Sequence, residues 1–443
     1  MHRPSIHQSR RRRYLAALGM DVAVLPASPA RVRSNDSEYR YRPDSDLYYL
    51  TGFPEPEAVA VFAPNHPEHQ FVLFVRPRDP EREVWDGRRA GVDGAVAQYG
   101  ADIAFDINEL DERLPAYLDG CGTLHYQMGR DEAFDRRVLG HLNSYRTSRR
   151  NKPAGPTSIV EPGEILHEMR LVKSEDELEL MRRAASISCA AHSEAMAACR
   201  PGMFEYEIEA LVEYAFRRNG AVGPAYSSIV GSGPNATILH YVENNRRIED
   251  GDLVLIDAGA EVDYFASDVT RTWPANGTFT REQRAIYELV LEAQVEAVAA
   301  TVPGARMQDV HDGVVRTLTA GLVRLGLLEG PVDEAIANAT YRKFYMHKTG
   351  HYLGLDVHDV GKYKDGEVWR ALAPGMVVTV EPGLYIAEDC EDVAPEWRGI
   401  GVRIEDDVLV TATGNEVLSA AAPKAVADIE RLVGSRSAVG SGT

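Results

Sequence analysis

The chain has 443 residues and a formal net charge of −19, from 67 acidic and 48 basic side chains. This length exceeds one ordinary domain, so two domains are expected. The acidity argues against nucleic acid as a main partner, because phosphate binding requires clustered lysine and arginine. No apolar run approaches the roughly 20 residues that span a bilayer, so no membrane partner is predicted. The four cysteines are scattered without a CxxC pair, which favours a reducing, cytoplasmic location.

The first part of the chain predicts an α/β domain with a mixed sheet. A first helix leads into a strand at 22–25, and four more strands are predicted at DLYYLTGF, AVAVFA, QFVLFVRP and TLHYQM. Helical stretches lie between them, around 92–100, 108–119 and 131–142. Such alternation is typical of an α/β fold. Trp85 lies among charged residues in a predicted loop, where it could pack internally or contact a partner subunit.

A polar stretch with several prolines and glycines, from 146 to 164, predicts a connection between two domains. The helix that follows begins with a capping box, Ser174-Glu-Asp-Glu177, and its pattern continues to about Cys199. These features predict an N-terminal domain over 1–172 and a C-terminal domain over 173–443.

The C-terminal domain contains a weak internal repeat. The segments 200–220 and 302–326 each have a Pro-Gly turn followed by an amphipathic helix that ends in glycine. Further along, DGDLVLIDAG aligns with APGMVVTVEPG, so that Asp257 matches Glu381. Such a repeat indicates two half-domains about a pseudo-two-fold axis, with a site where they meet.

Acidic residues lie at and near the matched positions. If LIDAGAEVDYFASDVTRTW folds as a hairpin about its middle, Asp257 and Asp268 lie directly opposite each other. Two carboxylates so placed destabilise each other unless a cation lies between them. Glu405 lies in a later alternating run, two residues after Arg403, which could orient it.

The segment HKTGHYLGLDVHDVG, residues 347–361, adds three histidines, and histidine is the commonest metal ligand in proteins. The candidate ligands are four carboxylates and one imidazole: Asp257, Asp268, His351, Glu381 and Glu405. Several carboxylates with one nitrogen suit a dinuclear site that activates water for hydrolysis. Oxygen-rich ligation favours two Mn²⁺ ions, although Co²⁺ or Zn²⁺ could occupy the site.

These five residues resemble the ligand pattern of the pita-bread metallopeptidases, with no position substituted. The segment RYRPDSDLYYLTGFPEPEAV, residues 40–59, resembles the non-catalytic domain of the Xaa-Pro aminopeptidase (aminopeptidase P) subgroup. The resemblance implies a creatinase/aminopeptidase-P-like α/β domain followed by an α+β pita-bread domain with a pseudo-two-fold repeat. It also separates the chain from creatinase-like relatives, which share the fold but lack the metal ligands.

The resemblance also implies a specific role for each predicted ligand. Asp257 would bind one metal in bidentate fashion, and Asp268 and Glu405 would bridge both. His351 and Glu381 would complete the set. Glu381 would also act as the general base for the attacking water and pass its proton to the proline nitrogen.

Five further residues match family positions around the substrate. His240 and His358 would contact the substrate or stabilise the tetrahedral intermediate. His347, Tyr385 and Arg403 would line the substrate-binding site. For each of the five, a packing or supporting role is the alternative.

The implied function is a metal-dependent Xaa-Pro aminopeptidase acting on peptides with proline at the second position. Prolidases, which are restricted to Xaa-Pro dipeptides, carry a similar histidine segment and are the alternative. A non-catalytic interaction protein on the same fold is a third hypothesis, but such relatives generally lose ligands. The resemblance further implies a homodimer or homotetramer.

Overall fold

The computed structural model describes residues 4–147 and 153–435. The chain divides into two compact units, Met1–Met169 and Arg170–Thr443. The sequence-based boundary after residue 172 lies close to this division. Part of the predicted connection, 148–152, lies outside the described residues.

The first unit is built on a six-stranded mixed sheet. Its helices are α1 (Pro4–Leu18), α2 (Ser45–Thr51), α3 (Pro80–Asp86), α4 (Gly91–Ala97), α5 (Leu110–Leu118) and α6 (Glu132–Thr147). Its strands are β1 (Val22–Pro26), β2 (Val32–Ser34), β3 (Ser37–Glu38), β4 (Val59–Phe62), β5 (Phe71–Val75), β6 (Ile103–Asp106), β7 (Thr123–His125) and β8 (Ser158–Val160). The sheet order is β6-β5-β4-β1-β7-β8, with β4 antiparallel to both β1 and β5 and the other pairs parallel. The predicted mixed α/β architecture is therefore confirmed.

One predicted strand in this unit was wrong. DLYYLTGF forms helix α2, because Asp44 accepts a hydrogen bond from the Leu47 N–H at 2.7 Å and so caps the helix. Gly52 ends it with a left-handed φ of 67°, a conformation that favours glycine. These local caps outweigh the β propensity of the tyrosines between them.

The second unit combines long helices with short antiparallel strands. Helix α7 (Gly163–Leu171) crosses the division, and α8 (Glu175–Ala198), α9 (Glu205–Arg218), α10 (Arg281–Ala300), α11 (Met307–Arg324), α12 (Val332–Ala337) and α13 (Val426–Leu432) follow. The strands of the first half are β9 (Gly223–Pro224), β10 (Ile229–Ser232), β11 (Leu253–Asp257), β12 (Ala260–Val262), β13 (Phe265–Ala266) and β14 (Thr270–Pro274). Those of the second half are β15 (Lys364–Asp365), β16 (Val368–Trp369), β17 (Val377–Val380), β18 (Gly383–Ile386), β19 (Ile400–Arg403), β20 (Asp406–Val410) and β21 (Asn415–Val417).

The predicted capping box is present at the start of α8. The Glu177 carboxylate accepts hydrogen bonds from both the backbone N–H and the hydroxyl of Ser174, each at 2.7 Å. The helix then runs to Ala198, as its apolar periodicity predicted. It buries its apolar face in the core of the second unit.

The internal repeat is visible in matching backbone hydrogen bonds. The Gly202 N–H donates to the Ile248 carbonyl at 2.8 Å, and the Gly304 N–H donates to the Leu372 carbonyl at the same distance. Both glycines have φ near 90°, which suits the turn before each amphipathic helix. Asp257 ends β11 and Glu381 follows β17, so the two halves deliver an acid at equivalent positions.

The register of the first-half hairpin differs from the prediction. Asp257 pairs with Thr270, and not with Asp268. The turn centres one residue later than predicted, because Asp263 and Tyr264 both adopt positive φ, at 51° and 68°. Asp257 and Asp268 are therefore diagonal neighbours rather than directly opposed.

Asp359 forms a buried ion cluster that anchors the histidine segment. Its carboxylate accepts from Arg170 at 2.6 Å and from Lys173 at 3.0 Å, and all three side chains are at least 97% buried. Burial raises the pKa of Asp359, but the two cations outweigh this effect and hold the pKa below its usual range. The buried charges of Arg170 and Lys173 are therefore balanced through the Asp359 carboxylate, and removing that carboxylate would leave buried positive charge uncompensated.

We expect Asp359→Asn to lower the free energy of unfolding by about 3–5 kcal/mol at pH 7, because it leaves the buried Lys173 without a counter-ion and Arg170 with only the more exposed Asp356. The depressed pKa means that this contribution is complete above about pH 4 and is lost as the pH falls below it. Urea unfolding of the two proteins between pH 3 and pH 8 measures the difference. Asp356→Asn is the control, since Asp356 also contacts Arg170 at 2.7 Å but is 36% exposed. An equal effect of both changes would contradict the argument.

Candidate metal centre

The five predicted ligands line one cavity of about 560 Å³ in the second unit. Asp257 and Glu381 come from strand ends, and Asp268 precedes β14. Glu405 lies in the link between β19 and β20 rather than inside a strand, which corrects the sequence-based placement. His351 is held beside β17, because its N–H donates to the Thr379 hydroxyl at 3.0 Å and its carbonyl accepts from the Thr379 N–H at 2.9 Å.

The distances within the set are short. Asp268, His351 and Glu405 each offer a ligand atom within 4.8 Å of the others. The His351 Nε2 lies 3.3 Å from Asp268 and 3.6 Å from Glu381. The other ring nitrogen of His351 faces the Tyr352 carbonyl at 2.9 Å, which leaves Nε2 directed at the acids. Asp257 joins the cluster through Tyr226, whose hydroxyl lies 2.7 Å from Asp257 and 2.5 Å from Asp268.

Two glycines of the histidine segment are required by close backbone approach. A Cβ on Gly350 would lie 1.9 Å from the Thr379 carbonyl oxygen. A Cβ on Gly354 would lie 2.1 Å from the Asp359 carboxylate. Because Gly350 has no Cβ, the histidine segment 347–361 can lie directly against β17. Because Gly354 has none, the same segment can pack against the Asp359 ion cluster.

Burial and mutual repulsion disfavour the charged forms of most of these acids. Burial raises the pKa of Glu381 to about 7, and Asp268 adds to this effect. Burial, followed by Asp268 and Glu381, raises the pKa of Glu405 well above its usual range. Burial also raises the pKa of Asp257, although Arg403 opposes it. For Asp268, the hydrogen bond and charge of His351 outweigh burial and leave the pKa below its ordinary value.

This donor set fits divalent cations. Four carboxylates and one imidazole nitrogen converge, whereas among the described residues Arg403 supplies the only guanidinium that donates to a side chain of the set. A cation between the acids would relieve the repulsion that raises their pKa values. Oxygen-rich ligation suits hard or borderline metals better than a closed structural zinc site.

The five predicted substrate-side residues also line or border the cavity. His240 and His358 are exposed on its wall, and the His358 ring lies 4.4 Å from that of His351. His347 contacts the Tyr385 hydroxyl at 2.9 Å. Arg403 donates to the same hydroxyl at 3.0 Å and to Asp257 at 2.7 Å.

Arg403 supports Glu405 only indirectly. Its Nε donates to the Thr270 hydroxyl at 3.2 Å, and that hydroxyl donates to Glu405 at 2.7 Å. The predicted contact between the arginine and this glutamate is therefore replaced by a threonine bridge.

Sequence reasoning missed several supporting residues. Tyr226 touches two of the acids, Thr270 and Thr379 each orient a ligand, and the Asp407 carboxylate accepts from the Asp268 N–H at 3.1 Å. Thr270 and Asp407 lie two residues from ligands, so their proximity was a usable signal. Tyr226 lies 31 residues before Asp257, and no pattern in the sequence marks it.

Comparison with known proteins agrees with this geometry. Residues 179–412 match the model of metallopeptidase family M24, and residues 7–125 match the aminopeptidase P N-terminal domain. This chain belongs to metallopeptidase family M24. The predicted family, the two-domain pita-bread architecture and the assignment to metal-dependent hydrolases are thereby confirmed.

Relatives within the M24 family cover nearly the whole chain. The Xaa-Pro aminopeptidase of Escherichia coli is 47% identical over 93% of both chains, and the human Xaa-Pro aminopeptidase 3 is 37% identical over 93% of this chain and 80% of its own. Among solved structures, the aminopeptidase PepP of Pseudomonas aeruginosa has a TM-score of 0.95 and 54% identity over 98% of both chains. An E. coli aminopeptidase P variant in complex with substrate has a TM-score of 0.93 and 46% identity, covering 97% of this chain and 98% of its own.

We expect Tyr226→Phe to weaken divalent-metal binding by about 10- to 100-fold, because the lost hydroxyl orients Asp257 and Asp268 together. Calorimetric titration of Mn²⁺ into chelator-treated protein measures the change. Tyr206→Phe is the matched control, since Tyr206 is 49% exposed and its ring stacks on Phe204 away from the acids. Unchanged affinity in Tyr226→Phe would show that the acids keep their arrangement without this hydroxyl.

Proposed function

We propose that this chain removes the N-terminal residue from peptides whose second residue is proline. The observation that carries the proposal is the convergence of all five family ligand positions on one cavity. Relatives that match over nearly the full length and are named Xaa-Pro aminopeptidases support the same activity. The third hypothesis, a non-catalytic interaction protein, would require a disrupted ligand set.

Asp257, Asp268, His351, Glu381 and Glu405 would hold two divalent metal ions. Mn²⁺ is our first choice and Co²⁺ or Zn²⁺ the alternatives, on the grounds of the oxygen-rich donor set. When bound, such ions lower the pKa of water towards 7 and polarise the substrate carbonyl.

Glu381 is the proposed general base. Its carboxylate borders the cavity, and its raised pKa of about 7 suits a group that accepts a proton from water and releases it again. The proton would then pass to the proline nitrogen as the peptide bond breaks. That nitrogen carries no hydrogen in the substrate, so peptidases that need an N–H contact at this position reject proline.

His240 and His358 would interact with the carbonyl oxygen as negative charge develops on it. Both imidazoles are exposed on the cavity wall. Burial and the neighbouring His351 lower the pKa of His358, so its ring is neutral at pH 7 and can donate one N–H. A hydrogen bond that strengthens in the transition state lowers the barrier selectively.

His347, Tyr385 and Arg403 would form the substrate-binding wall. Burial, followed by the charge of Arg403, lowers the pKa of His347 to about 4, so this imidazole is neutral. Its Nδ1–H donates to the Lys348 carbonyl at 2.7 Å, which leaves Nε2 to accept from the Tyr385 hydroxyl. The connected hydrogen bonds of His347, Tyr385 and Arg403 would hold these side chains in a rigid polar surface against which the substrate binds.

The length of the accepted peptide separates the proposal from its alternative. After chelation and return of Mn²⁺, we expect release of the first residue from an Xaa-Pro-Xaa tripeptide, and loss of that activity in the chelated protein. A chromatographic assay of the tripeptide and the Xaa-Pro dipeptide in parallel measures both. Cleavage of the dipeptide alone would establish a prolidase instead.

Changing Glu381→Ala should lower kcat by about 10²–10⁴-fold, because it removes the proton acceptor. Since Glu381 is also a proposed ligand, metal content must be measured on the same samples, with circular dichroism to confirm folding. Glu388→Ala is the control, as Glu388 is exposed and outside the cavity. Retained activity in the first variant would rule out its role as base.

We also propose a cytoplasmic homodimer or homotetramer. The four unpaired thiols support a reducing compartment. Val84 and Trp85 of α3 are 81% and 87% exposed, and large apolar side chains at this exposure suit a contact with another subunit. Within the described residues, no helix combines the length and apolar character needed to span a bilayer.

A further inference from the structure

The charges on the cavity wall are unevenly distributed. The acids of the metal centre occupy one region, and the buried Arg403 guanidinium beside them donates to Asp257, Tyr385 and Thr270. A peptide's free amino terminus is attracted to acids, so this region suits the first residue of the substrate. Arg403 is buried and its contacts are directed at Asp257 and at hydroxyls beside the acids, so an anion further along the peptide needs another cation.

Lys348 is a second cation on this wall. Its side chain lines the cavity and is exposed, and its ammonium lies 3.4 Å from the Gln308 amide oxygen at the start of α11. No carboxylate lies within 4.0 Å of it among the described residues. By contrast, Lys173, Lys343 and Lys424 each form an ion pair with an aspartate in the same unit.

The backbone around Lys348 is anchored on both sides. On one side, His347 donates to the Lys348 carbonyl and contacts Tyr385. On the other, the Thr349 hydroxyl lies 2.9 Å from His311 and 2.7 Å from the Tyr345 hydroxyl. The base of the lysine side chain is therefore fixed next to the proposed substrate wall, and only its methylene chain is free to adjust.

We propose that Lys348 is a specificity residue that binds a carboxylate on the residue after proline. This inference rests on the proposed function, which sets the amino terminus at the acids and directs the remaining peptide along the wall. A cavity of about 560 Å³ is within the size range of small-ligand sites. The preferred substrates are thus short peptides with a carboxylate on the residue after proline. This carboxylate is either the C-terminus of a tripeptide or the side chain of an acidic residue.

The size of the effect follows from the exposure of the lysine. A solvent-exposed ion pair contributes about 0.2–1 kcal/mol, which corresponds to a preference of about 1.4- to 5-fold. Because the contact is remote from the breaking bond, it should change KM and leave kcat nearly constant. The preference should also shrink in high salt, which screens exposed charges.

The test compares three peptides that share the same first residue: Xaa-Pro-Ala with a free carboxylate, its C-terminal amide, and Xaa-Pro-Asp amide. In the Mn²⁺-loaded wild-type protein, we expect a lower KM for at least one carboxylate-bearing peptide than for the Ala amide. Lys348→Gln should abolish this difference and Lys348→Arg should keep it. Lys343→Gln, a change of an exposed lysine outside the cavity, should behave as the wild type.

The outcomes are distinct. A preference for the terminal carboxylate alone, or for the aspartate alone, supports the proposal and identifies which group Lys348 binds. Equal KM values for all three peptides in the wild type, or a preference that persists in Lys348→Gln, overturn it while the aminopeptidase function stands. Failure to cleave any of the three would instead overturn the proposed function itself.

Discussion

The mutual repulsion of four carboxylates, three buried and one half-buried, is the constraint on which the site in the second unit depends. Asp257, Asp268 and Glu405 are buried and Glu381 is half-buried, and for Asp257, Glu381 and Glu405 burial raises the pKa. Isolated buried charges are expensive, so the fold surrounds them with donors. Tyr226 bridges the two aspartates, and Arg403 contacts Asp257 directly. The remaining excess of negative charge suits the binding of divalent cations.

The internal repeat explains how so many acids can meet. Each half delivers a strand with an acid at or just after its end, and each is braced by a turn whose glycine N–H donates the equivalent backbone hydrogen bond. Neither half alone surrounds a cation with enough ligands. The second half adds His351. The loop that carries this imidazole can lie against β17 because Gly350 has no side chain to collide with the Thr379 carbonyl. Catalytic geometry is thus a property of the assembled pair of halves.

Buried ion pairs outside the cavity have a separate, structural task. Arg271 is fully buried, donates to Asp406 at 2.7 Å and to the Glu405 carbonyl at 2.6 Å, and so fixes the backbone that carries a ligand. Asp359 does the same for the histidine segment. These pairs are held by several partners each, whereas Lys348 on the cavity wall lies near one amide oxygen. The contrast separates charges that build the scaffold from a charge that is available to a ligand.

The sequence by itself determined the fold class and the repeat, and it predicted five ligand positions that the structure brings to one cavity. Acids and a histidine near the ends of apolar runs are local patterns, which is why the sequence could mark them. It also contained both glycines that the ligand loop needs. Only the tertiary structure decided the hairpin register, which depends on positive φ at Asp263 and Tyr264. It also revealed Tyr226 and the threonine bridge from Arg403 to Glu405, since hydrogen bonds between residues distant in the chain leave no periodic signal. Helix α2 was mistaken for a strand because its end caps, and not its aromatic residues, decide its conformation.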